Sequence, residues 1–172
     1  MKLTRIFVPL VASMVLYSCA SNNLSYESKA FKNAYASIKA EELKKNLSVI
    51  ASDEMQGRDT GSEGQKKAGK YMIDFYKNIG VSYPKALGSY YQTVPKEALK
   101  SRGKELPESE NILAFIEGTE KPEEIIVVSA HYDHVGIKDG VVYNGADDDG
   151  SGTVAVMEIA EAFQQAKKAG KG

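Results

Sequence analysis

Glu124 to Ala130 carries an unbroken apolar run, Ile125-Ile126-Val127-Val128, that leads straight into His131-Tyr132-Asp133-His134. Consecutive branched residues without alternation predict a central strand covered on both faces. Further on, Asn144-Gly145-Ala146-Asp147-Asp148-Asp149-Gly150-Ser151-Gly152 opens a segment, Thr153 to Gln165, that is apolar nearly all round. Its only polar stripe is Glu158, Glu161 and Gln165, which predicts a helix buried on most of its circumference. A covered strand followed by a buried helix defines the class as α/β, with helices packed over a mixed sheet.

The rest of the chain fits that class. From Ile38 to Ala51 the apolar positions 38, 43, 47 and 50 describe an amphipathic helix. Ser52 to Glu63 reads as a polar loop. A second helix follows, with Ala68, Tyr71, Met72, Phe75 and Ile79 on one face and Gly80 placed to end it. Pro84, Pro95 and Pro107 break up residues 81–110. Asn111 to Glu117 reads as a strand, and the polar link Gly118 to Glu123 is short enough to join it to the next one as a hairpin.

Residues 1–18 read as an export signal. Lys2 and Arg5 precede an apolar run from Ile6 to Leu16, too short to span a membrane and suited to the core of a signal peptide. Leu16-Tyr17-Ser18-Cys19 resembles the bacterial lipobox, and Cys19 is the only cysteine. The resemblance implies cleavage before Cys19, lipidation of that residue, and a protein anchored to the membrane in the cell envelope. An ordinary signal peptide with an incidental cysteine is the alternative. Residues 19–30 then form a tether and 31–172 the folded domain. A formal charge of −1 from 22 basic and 23 acidic residues argues against nucleic acid as a partner.

A histidine at a strand end, an aspartate two positions on and three consecutive aspartates form a dense set of metal-ligand types. Adjacent carboxylates repel one another, and a cation is the usual reason to hold them together. Imidazole and carboxylate without thiolate favour zinc, cobalt or manganese. Each half has a plainer reading. His131 and Asp133 could be a surface pair, and Ser151 or Asp149 could cap the helix. An EF-hand alternates its acidic positions, which this run does not. Three carboxylates would also repel a phosphate. Taken together, the two segments favour a metal.

These segments resemble the co-catalytic zinc exopeptidases of the aminopeptidase Y type. The pattern is an apolar strand with His-x-Asp, here Val127 to Asp133, then Gly-Ala-x-Asp-(Asp/Asn)-x-Ser-Gly, here Gly145 to Gly152. Ala51 to Gly61, Tyr91-Gln92 and Glu110-Asn111-Ile112 are similar to the family as well. The resemblance implies a three-layer α/β/α sandwich, two zinc ions, and removal of residues from the N-terminus of peptide substrates. His131 would ligate one zinc and Asp148 would bridge both. Asp133 would orient His131, and Asp149 would follow a cis peptide bond. Asp147 would be a loop carboxylate, His134 a surface histidine and the Gly57-Arg58 loop structural. The family's later Glu-Glu pair, Asp and final His have no counterpart here, so the chain reads as the front portion of such an enzyme. A lipid-anchored, non-catalytic binding module is the second reading. A relative of the single-zinc glutaminyl cyclases is the third.

Overall fold

The computed structural model describes residues 28–101 and 104–170. The signal segment 1–18, Cys19 and most of the tether lie outside the described residues. Among these residues, no helix is long and apolar enough to cross a membrane.

Four helices form the body: α1 (Lys29–Ser37), α2 (Ala40–Ile50), α3 (Glu63–Ile79) and α4 (Ser151–Lys168). The helix α1 was not foreseen from periodicity; Ser28 Oγ accepts from the Phe31 amide at its start, and the helix packs on α4. Ser62 caps α3 by accepting from the Gln65 amide, and Gly80 ends it in the left-handed region, as its position predicted. The buried stripe of α3 runs through Ala68, Met72, Ile73 and Tyr76, while Tyr71, Phe75 and Ile79 flank it. Ile50, Val154 and Met157 are fully enclosed where α2, α3 and α4 meet. Burial of such side chains contributes roughly 1.5–3 kcal/mol each.

The helix α4 departs from expectation. Its buried residues are Thr153, Val154, Met157 and Glu158, whereas Phe163 is exposed. Glu158, expected in the outward polar stripe, is interior because α2 docks on that face and supplies Asn46 as a donor to its Oε1. Tyr71 OH donates to Asn46 Oδ1, so one polar chain ties α2, α3 and α4 together.

The strands are β1 (Tyr91–Val94), β2 (Lys100–Ser101), β3 (Lys104–Glu105), β4 (Ser109–Ile112), β5 (Ile137–Lys138) and β6 (Val141–Val142). They pair antiparallel as β1–β4, β2–β3 and β5–β6. The arrangement is a mixed α/β one with small antiparallel sheets. The first predicted strand, Asn111 to Glu117, forms only in part: β4 holds its first two residues, in register from Tyr91↔Ile112 to Val94↔Ser109, and beyond it only Phe115 bridges, to Ser82.

The predicted central strand does not form. Residues 124–130 belong to no ladder, so the expected hairpin is also absent. Ile125, Ile126 and Val127 are 73%, 84% and 80% exposed. A strand gains its stability from ladder bonds and cross-strand packing. No described segment lies alongside this one to provide either.

Candidate metal centre

Close packing resumes at the end of that apolar run. Tyr132 is buried and its hydroxyl donates to the Glu110 carbonyl, while Thr153 Oγ1 at the start of α4 donates to the His131 carbonyl. His131 is thereby fixed between β4 and α4 by its neighbours and main chain, with its ring left accessible to solvent.

The acidic loop is a single wide turn over Ala146–Gly150, closed by the Gly150 amide donating to the Gly145 carbonyl. The Asp148–Asp149 peptide bond is cis. Asp149 Oδ1 accepts from the Gly152 amide at 3.0 Å and so caps α4, satisfying one of its free N-terminal donors. Asp147 is exposed and contributes its main-chain carbonyl, which accepts from Ser151 Oγ. Gly145 starts the turn at φ 55°, where a Cβ would lie 2.5 Å from Cγ of His134. That close stacking leaves room only for glycine.

These two segments bring His131 and Asp148 together, with Nε2 3.1 Å from Oδ1. Nδ1 of the same ring lies 3.0 Å from the Asp133 carbonyl and 3.4 Å from Asp133 Oδ1. Facing two oxygens, Nδ1 must be the donor, and Nε2 then presents either a lone pair or a second proton to Asp148. Burial pulls the His131 pKa down, but the Asp133 carbonyl and the charges of Asp133, Asp149 and Asp148 outweigh it, so the value is raised. The second oxygen of Asp133 is held by Thr60 Oγ1, which donates at 2.5 Å.

The separation suits a shared cation. Two ligands at about 2.0 Å from a tetrahedral zinc stand about 3.3 Å apart. Imidazole and carboxylate are also ligand types that zinc accepts. On donor chemistry and spacing the pair fits zinc. It is not a full cage, because among the described residues no group of three or more His, Cys, Asp or Glu side chains could hold an ion.

One placement differs from the sequence reading. His134 is not a surface residue: its side chain is only 15% exposed, and Nδ1 lies 3.6 Å from Asp148 Oδ2. Its burial follows from the short bridge between Asp59 and His134 and from Gly145 lying over the ring. Arg58 has a definite role, since its buried guanidinium holds main-chain carbonyls of both loops. Burial lowers its pKa, and the charges of Asp133 and Asp148 oppose that shift. Thr60, and the inward side chain that gives the Gly57-Arg58 loop its structural role, escaped sequence reasoning because nothing in a polar loop marks which side chain turns inward.

An imidazole and a carboxylate meeting at a helix start define a candidate metal site. Residues 111–171, which include both His131 and Asp148, match the profile of Peptidase family M28. The match supports a metallopeptidase-type function. No curated protein matches the chain, and no solved structure does.

Proposed function

We propose that this chain carries part of the active site of a zinc-dependent aminopeptidase. The observation behind this reading is the 3.1 Å approach of His131 Nε2 to Asp148 Oδ1, with Nδ1 already committed as a donor. His131 would ligate one zinc, and Asp148, with an oxygen toward each histidine, would bridge two. Zinc in such a site supplies Lewis acidity toward a peptide carbonyl and an activated water. Asp133 keeps the proton on Nδ1 and so holds Nε2 ready as a ligand. Thr60 restrains that carboxylate, and Asp149 anchors the loop by capping α4.

A catalytic zinc takes three protein ligands and needs a general base nearby. The rest would come from residues beyond those described, completing a three-layer α/β/α sandwich that covers residues 124–130. A lipid-bearing Cys19 would hold the domain at the membrane, within the cell envelope. The incomplete ligand group also favours a second reading, a lipid-anchored module that binds metal or peptide without hydrolysis.

The test is zinc-dependent hydrolysis of leucine anilide by the protein isolated from its source, with the 172-residue chain assayed in parallel. Activity abolished by chelation and by His131→Ala is the expected result for a species that carries the further ligands. The 172-residue chain should be inactive. Hydrolysis that survives both chelation and His131→Ala would overturn the proposal.

A further inference from the structure

Arg58 is fully buried, yet all four of its side-chain hydrogen bonds go to main-chain carbonyls. Nε donates to Tyr132, between His131 and Asp133, at 2.7 Å. Nη1 donates to Ile50 at the end of α2 and to Asn144, each at 2.6 Å, and Nη2 donates to Gly145 at 2.8 Å. One planar group therefore joins the helix end, the histidine segment and the entrance of the acidic loop.

The main chain of the same residue adds to the junction. The Arg58 carbonyl accepts from the His134 amide, and the Gly57 carbonyl accepts from the Gly136 amide. Gly57, at φ 65°, lies so close to this segment that a Cβ would sit 2.4 Å from the Gly136 carbonyl oxygen. Burying a guanidinium without a carboxylate in contact is costly, and losing any of these four bonds would add to the cost. The cost is offset only while all three segments keep their places. A lysine keeps the charge but lacks the flat fork that reaches several carbonyls at once.

From this junction of Ile50, Tyr132, Asn144 and Gly145 on one guanidinium, we propose that Arg58 is a positioning residue that sets the His131–Asp148 separation before any metal arrives. Its relevance to zinc rests on the function proposed above; the clamp itself does not.

The experiment uses the full chain in chelator. Amide hydrogen exchange and the ring-nitrogen shifts of His131 are compared in wild type, Arg58→Lys and Arg58→Met. In both variants exchange should quicken at least about 10-fold across 131–136 and 143–150, with α3 as protected as in wild type. The His131 ring signals should move toward those of a free histidine. Zinc affinity should fall about 10- to 100-fold, as for other outer partners of a metal site. Unchanged loop exchange and unchanged His131 signals in a folded variant would overturn the proposal. So would loosened loops with His131 signals unmoved, which would make Arg58 a structural clamp only. Should both variants fail to fold, wild type decides: the Arg58 Nε proton must exchange far more slowly than that of a free guanidinium, and ordinary exchange would overturn the clamp. Should wild type bind no zinc, the metal reading fails, while the loop and ring measurements still decide the role of Arg58.

Discussion

Asn46 in α2 donates to Glu158 Oε1 in α4 at 2.9 Å, and both side chains are buried. The other carboxylate oxygen, Oε2, is buried and has no hydrogen-bond partner among the described residues. Burial raises the Glu158 pKa above its ordinary value of 4.5, and the charge of Glu161 adds to the shift, while the Asn46 bond opposes it. A raised folded value favours the protonated form. Its stabilising contribution is therefore full below the unfolded pKa and lost as pH rises through the folded one. Glu158→Gln, which stays neutral, should match wild type in urea midpoint near pH 4 and exceed it at pH 7 and 8. A constant difference across that range would refute the assignment.

Gly145→Ala should destabilise the chain more than Gly140→Ala. Both glycines have positive φ, 55° and 76°, but a Cβ at 145 meets the His134 ring, whereas one at 140 meets nothing within 4 Å. A non-glycine residue in this region costs about 1–3 kcal/mol on its own. The ring contact adds to that at 145 alone. Thermal melts of the two variants check the order.

Exposed Ile125, Ile126 and Val127 should make the chain associate. Contiguous apolar surface drives such contacts, and an unpaired extended segment invites pairing with another chain. Ile126→Lys should lower the apparent mass in light scattering and leave thermal stability within about 0.5 kcal/mol, as for an exposed position. A substantial stability loss would mean that Ile126 is packed in solution.

Cys19 should be acylated in expressing bacteria. Its motivation is the short apolar run to Leu16 and the lipobox-like Leu16-Tyr17-Ser18 before the chain's single cysteine. Labelled palmitate should appear in wild type and be absent from Cys19→Ser. Equal labelling of the two would refute lipidation there.

Helices α2, α3 and α4 were legible because each contains its own pattern, whereas α1 was not. Spacing alone located α2 and α3, and Gly80 ends α3 as its position foretold. The apolar run at 125–128 reads as a strand, but a ladder and covering layers belong to other segments, and no spacing within the run provides them. Glu158 was misplaced for a related reason: helical periodicity cannot show that a partner such as Asn46 will hold a carboxyl inside. Within the site, the residue types around His131 and Asp148 were enough to suggest a metal. The burial of His134 and the inward turn of Arg58 depend on loops far apart in sequence, which local patterns do not record.

Zinc binding to the full chain, measured by competition with a chromophoric chelator, tests the assignment of His131 and Asp148 most directly. Asp148→Asn should weaken binding at least about 10-fold, since on the proposed reading it replaces a charged ligand and not merely an outer partner. Asp147→Asn, altering an exposed carboxylate that joins no other side chain at the site, should leave affinity within about 2-fold, by contrast with the outer-partner range. Equal losses in the two variants, or an unchanged affinity in Asp148→Asn, would contradict the account.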